Sequence, residues 1–312
     1  MLTVIASITD RLEHYWEHII MKRYTGITLV VVYLFMIVLV EFNRQGWLSG
    51  PIAEWLPMSH FFAVEVTFTL LLVTEVIALV FSLTRSFSRS VGIQVEILAL
   101  ILIRDTFKKF TEFGEPLEWS TVSPHMGAMI ADSAGALLIF VVLGLYYRVQ
   151  KHRPITADEV EQATFVTYKK IIALALVAAF GFIAAVDGIR LVTGQPVFPF
   201  FETFYTVLIF TDILMVLLSL RFTNSFAVTF RNFGFAVVTV FIRISLIAPP
   251  PLNAAIGVGT ALFALGLSYV YNRYGALIQQ QSQIETTHEN TETSEQRQVE
   301  AQQQPDPEPA GA

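Results

Sequence analysis

Eight stretches of the chain stay apolar for long enough to cross a bilayer: about residues 26–42, 60–83, 91–107, 126–147, 169–191, 201–221, 227–248 and 252–272. A helix rises about 1.5 Å per residue and the hydrocarbon layer is roughly 30 Å thick, so about 20 apolar residues suffice. Backbone polar groups in lipid must be paired within the segment, so these runs read as helices rather than loops. None alternates apolar and polar residues with a period of two, which argues against a β-barrel. The first run begins too far along, and lacks a small-residue cleavage site, to be a signal peptide. The expected fold is therefore all-α: a polytopic membrane protein with eight transmembrane helices.

Three segments outside the runs have patterns of their own. In the first, residues 1–25, Ile8, Leu12, Trp16, Ile19 and Ile20 share one helical face, with Asp10, Glu13, Glu17 and Lys22 mostly opposite. That is the pattern of an amphipathic helix lying in the interface. In the second, residues 149–168, Thr156-Ala157-Asp158-Glu159 has capping-box spacing, so a short cytoplasmic helix is expected there. The third, residues 274–312, is rich in Gln, Glu and Thr and ends in a Pro-Asp-Pro-Glu-Pro run. It has too little apolar surface to fold and is expected to be a disordered cytoplasmic tail. Between them lie two membrane units, residues 26–148 and 169–273.

Composition agrees. The chain is 54% apolar and 15% charged, with a mean hydropathy of +0.58, whereas soluble domains carry about 25% charged residues. The net charge of −6 resides in the tail: residues 276–312 hold seven acids and one arginine. No basic stripe is present, which argues against nucleic acid as a partner. The absence of cysteine excludes disulfides, thiolate metal sites, iron–sulfur clusters and cysteine nucleophiles. Lysines and arginines divide 14 to 6 between the two sides of the eight-span topology, which predicts a cell-membrane protein with both termini cytoplasmic. The Lys108–Lys109 pair runs against that assignment.

The second half echoes the first. Thr69–Leu83 aligns without gaps on Thr206–Leu220, with identities at Thr69/Thr206, Leu71/Leu208, Thr74/Thr211, Ser82/Ser219 and Leu83/Leu220. Apolar helices match easily by chance, so the polar residues decide. Glu75 matches Asp212, Glu41-x-x-Arg44 matches Asp187-x-x-Arg190, and Arg104 matches Arg243, at offsets of 137, 146 and 139 residues. Polar residues are costly inside membranes, so three recurring positions point to duplication. An even number of spans per copy gives both halves one orientation, hence two parallel four-helix repeats.

Glu-x-Ile-Ala-Leu at 75–79, Ser86-Phe87-Ser88-Arg89 and Ile101-Leu102-Ile103-Arg104 resemble the phosphate-starvation-inducible PsiE family of four-helix membrane proteins. In the second half Asp212, Arg243 and Pro251-Leu252-Asn253 are similar to that family's pattern. The chain departs from it in being doubled, in carrying Asp212 for the glutamate, and in its added tail. The resemblance implies a tandem PsiE-like architecture and a stress-linked role, but no reaction.

Candidate chemistry lies in the intramembrane charges. Counted from the cytoplasmic ends, Glu75 lies about 12 Å deep and Arg104 about 20 Å deep, with Glu41 near Arg104's level. One reading makes Glu75 and Asp212 the midplane protonatable or ion-binding groups of a polar pathway, with Arg104 and Arg243 as outer gates. The plainer reading locks helix register through interhelical salt bridges, Glu41 to Arg104 and Asp187 to Arg243. We favour the plainer reading for the arginines, whose depth allows snorkelling. For Glu75 and Asp212 we favour function, because no basic residue stands at quite their height. Asp132, beside Ser133, is a further pathway candidate in the more polar first half. Glu65 and Asp105, close to the outer interface, are read as surface charges.

No metal, cofactor or catalytic set is expected. His14 and His18 have helical spacing for a shared metal but only two ligands. No Gly-rich phosphate loop and no Ser/His/Asp set is present. The small residues Gly181/Ala185, Ala255/Gly259 and Gly257/Ala261 are read as sites of close helix packing. Two function classes follow. The first is a proton-linked transporter or channel using the midplane acids; the other is a non-transporting sensor or scaffold. Candidate partners are the bilayer, a second copy of the chain, and a cytoplasmic protein recruited by the tail.

Overall fold

The structure is a computed structural model that describes residues 19–50, 53, 56–150, 159–193, 195, 196, 199–223 and 226–274. Of the interfacial helix expected in residues 1–25, the part before residue 19, with His14 and His18, lies outside the described residues, as does the expected tail beyond residue 274. Among those described, all regular structure is helical: α1 (Ile19–Arg44), α2 (Phe61–Ser82), α3 (Phe87–Lys108), α4 (Trp119–Val149), α5 (Glu159–Val192), α6 (Phe200–Leu220), α7 (Phe226–Ile247) and α8 (Leu252–Tyr274). A 3₁₀ turn, Lys109–Glu112, follows α3.

Seven of these helices are long and apolar enough to cross a membrane. The exception is α3, which equals α2 in length but carries Arg89, Glu96, Arg104, Asp105 and Lys108. The short linker helix expected before residue 169 is not a separate element, since α5 runs unbroken from Glu159 to Val192. The apolar run that follows continues the helical ladder past residue 169.

The described residues up to Ser268 form one compact unit, and Tyr269 onward belongs to a second, in which Arg273 lies over the Tyr269 ring. Within the first unit α3 is central: it packs against α2, α4 and α7. One core joins Leu98 and Leu102 of α3, Ile139 and Leu143 of α4, Phe235 and Ile242 of α7, and Ala261 and Leu267 of α8. A second joins Leu79 of α2, Ile101 of α3, Leu176 of α5, and Phe204 and Leu208 of α6. Each core therefore draws helices from both halves of the chain. Helix α1 packs on α2 and turns Val30, Val31, Leu34 and Phe35 outward, as a lipid-facing helix would.

Close helix approach occurs at only some of the expected small residues. A Cβ on Gly257 would meet Ile139, Ser245 and Leu98 at 3.0–3.3 Å, and Ala261 is buried. Gly181 and Gly259, by contrast, have nothing within 4 Å of an added Cβ, and Ala185 and Ala255 are exposed. Spacing alone does not say which side of a helix meets protein. Gly135 of α4 was missed, and there a Cβ would lie 2.6 Å from that of Ala254.

Candidate functional site

Glu75, Arg104, Asp212 and Arg243 meet in a buried polar band across α2, α3, α6 and α7. Arg104 Nη1 lies 3.8 Å from Glu75 Oε2, and Arg243 Nη2 lies 3.7 Å from Asp212 Oδ2. All four side chains are buried. Both separations exceed hydrogen-bond length, so these are charge pairs without a shared proton. Glu75 Oε2, Arg104 Nη1, Asp212 Oδ2, and Arg243 Nε and Nη1 have no hydrogen-bond partner. Arg104 also donates to Asp105 Oδ1 through Nη2 at 2.8 Å, so Asp105 serves the site and is not merely a surface charge.

These pairings correct two expectations. Arg104 does not bridge to Glu41, whose partners are Gln45 at 2.7 Å and His60 Nε2 at 3.1 Å. The counter-charge of Arg243 is Asp212, not Asp187. A basic group does therefore stand beside each of Glu75 and Asp212. The physical reason is side-chain direction. Helical Cα–Cβ bonds tilt toward the N-terminus, so an arginine late in α3 or α7 reaches back by about a turn or more. Comparing Cα heights omits that reach.

The two pairs are tied to a wider network. Arg243 Nη2 donates to Gln94 Oε1 of α3 at 2.9 Å, which links the halves. Gln94 Nε2 donates to Ser90 Oγ at 3.0 Å and approaches Ser82 Oγ at 3.5 Å. A similar contact joins Asn232 Nδ2 of α7 to Ser219 Oγ of α6 at 3.3 Å. The buried Tyr205 stands on α6 about two turns before Asp212. A cavity of about 20 Å³ reaches Asp212 and is also lined by Ser90, Gln94, Lys169 and Thr239.

Asp132 lies apart from this band. It is fully buried and accepts from Asn253 Nδ2 of α8 at 2.9 Å, while its second oxygen has no partner. Ser245 Oγ of α7 donates to the Asn253 carbonyl at 2.7 Å. Asp132 thus joins α4 to α7 and α8.

Sequence reasoning missed Gln94, Tyr205, Lys169 and His60, and named Asn253 only as part of the family pattern. Gln94 and Asn232 carried a signal, since each is a carboxamide on the third helix of its half facing an aligned serine. Lys169 reads as an interfacial charge, yet it is buried with its Nζ on the Arg85 carbonyl and over the Phe87 ring, 5.1 Å from its centroid. His60 is the centre of a separate cluster, with Nδ1 3.0 Å from Glu115 Oε2 and Nε2 3.1 Å from Glu41 Oε2. Partial burial pushes the Glu115 carboxyl up. The His60 side-chain and backbone hydrogen bonds, with its charge, outweigh this and hold it below the usual value. Among the described residues no three acids or histidines are arranged to hold a metal ion.

No family model, no curated protein and no solved structure matches the chain.

Proposed function

We propose that the chain is a proton-linked membrane transport protein, with Glu75 and Asp212 as its protonatable groups and Arg104 and Arg243 as their counter-charges. In this reading all eight helices span the membrane, as two parallel PsiE-like repeats with both termini cytoplasmic. The central position of α3 supports its being the eighth span, because a helix largely enclosed by protein tolerates charge that lipid would not.

One observation carries the proposal: two buried acid–arginine pairs recur on corresponding helices at 3.7–3.8 Å, each leaving a carboxylate oxygen without a partner. A register-locking bridge would close to about 2.7–2.9 Å and satisfy both groups. An open pair leaves the acid able to take a proton and release its arginine, which is what coupling to a proton gradient requires. Gln94 would carry a change at the Arg243 pair into α3, the helix that holds Arg104.

The test is flux in vesicles reconstituted with the full chain and an internal pH dye. Wild type should carry protons down an imposed gradient, and Glu75→Gln and Asp212→Asn should each lower that flux by about tenfold or more. Unchanged flux in both variants removes these acids from the mechanism. Absence of proton, phosphate or common-ion flux in wild type overturns transport.

The second reading is a non-transporting sensor. The cluster in which His60 joins Glu41 of α1 to Glu115 favours it, because these polar groups are brought together apart from the acid–arginine pairs.

A further inference from the structure

We infer that Asp212 exchanges its proton through a single-water cavity that opens past Lys169 toward the α2–α3 turn, with Lys169 as the group that closes it. This rests on the reading of Asp212 as a protonatable group.

The cavity has the right size and lining. Its volume is about 20 Å³, and a water needs roughly 10–15 Å³ with two to four polar partners. Those partners come from four helices: Ser90 and Gln94 of α3, Lys169 of α5, Asp212 of α6 and Thr239 of α7. The unpartnered Asp212 oxygen belongs to a carboxylate that lines this space. Arg243 faces Asp212 from α7, and the buried Tyr205 lies on α6 itself.

The near end of the cavity is built as a closure. Leu83 and Phe87 line it where α2 turns into α3. Lys169 Nζ donates to the Arg85 carbonyl in that turn and lies over the rings of Phe87 and Phe165, at 5.1 and 5.6 Å from their centroids. Phe165 in turn meets Phe222 edge-on, 5.4 Å between centroids. An ammonium on a four-carbon stem held by a backbone carbonyl and two ring faces can swing away without breaking a salt bridge. When it moves aside, cavity water gains a proton from bulk water and passes one to Asp212 Oδ2. An O–H bond forms on the carboxylate as one breaks on the water, and the reverse sequence unloads it.

The experiment follows the Asp212 carboxyl stretch by infrared difference spectroscopy on the full chain in vesicles, assigned by its loss in Asp212→Asn. The carboxyl band is expected to change with the pH of the buffer and to shift on transfer to deuterated buffer. Lys169→Ala, which removes the closure, should speed that exchange about tenfold, and Ser90→Leu, which fills the cavity, should slow it by about the same factor. Thr239→Ile fills the space from another helix and replaces Ser90→Leu if that variant does not fold. Exchange rates unchanged in Lys169→Ala and in the filling variant overturn the path, as does an Asp212 that stays ionised throughout. If the rates shift as expected while wild-type vesicles carry no flux, the path stands and the transport reading falls.

Discussion

Arg243 exposes none of its surface, and its guanidinium has Gln94 as an acceptor and Asp212 as a counter-charge. Removing one partner of a buried ion pair leaves the other charge uncompensated, at a cost of about 3–5 kcal/mol, whereas replacing both by apolar groups is often close to neutral. Arg243→Met alone should therefore lower unfolding stability in detergent by that order. Arg243→Met with Asp212→Leu should recover most of the loss. A double-mutant cycle read by denaturant or thermal unfolding decides it: if the double variant is as unstable as the two losses added, the two side chains are not coupled. The same logic applied to Glu75 and Arg104 should give a weaker coupling, because Arg104 keeps Asp105 as a second carboxylate at 2.8 Å.

Helix α1 is held at its end by a polar fastening. It packs on α2, and its last turn is tied to the rest by short contacts: Glu41 to His60, Arg44 to Glu115 at 3.7 Å, and Asn43 donating to the Leu56 carbonyl at 2.8 Å. Glu115 has a folded-state pKa below its ordinary value, so its contribution is full above the unfolded pKa and lost as pH falls through the folded one. Wild type should lose stability on acidification below the ordinary carboxylate range, and Glu115→Gln should lose less over the same interval. Parallel pH–stability curves for the two would show that Glu115 does not fasten α1. Much at this scale was readable in the sequence. Unbroken apolar runs fix where helices are, because lipid leaves the backbone no other way to pair its polar groups. Charges interrupting those runs marked Glu75, Arg104, Asp132, Asp212 and Arg243, all five of which are buried. Their partners were not readable, because pairing depends on the lean of side chains and on helix rotation. For the same reason Gly135, against Ala254, was no more visible than Gly181, which faces open space.

At the scale of the whole molecule, the division into halves and the division into cores do not coincide. One core joins α3 and α4 to α7 and α8, and the other joins α2 and α3 to α5 and α6. Polar contacts cross between the halves as well: Arg243 to Gln94, Asn253 to Asp132, and Lys169 to the Arg85 carbonyl. The two halves form one unit by packing, since the shared cores leave neither half enclosing its own apolar surface. Cutting the connection between α4 and α5, near residue 154, tests this directly. Each half expressed alone should leave Leu98, Ile101 and Leu102, or Phe204, Phe235 and Ile242, without their opposing side chains, and should aggregate or be degraded. Co-expressed halves should assemble and co-purify, because the cut removes no core contact and costs only the entropy of joining two chains. Lone halves that are monodisperse and melt like the intact chain would show that the cores are separable. The assembled split form then allows a sharper test, since Gln94→Leu on one half and Arg243→Met on the other act on the same contact. Each alone should weaken co-purification, and the two together should weaken it by less than the sum of both.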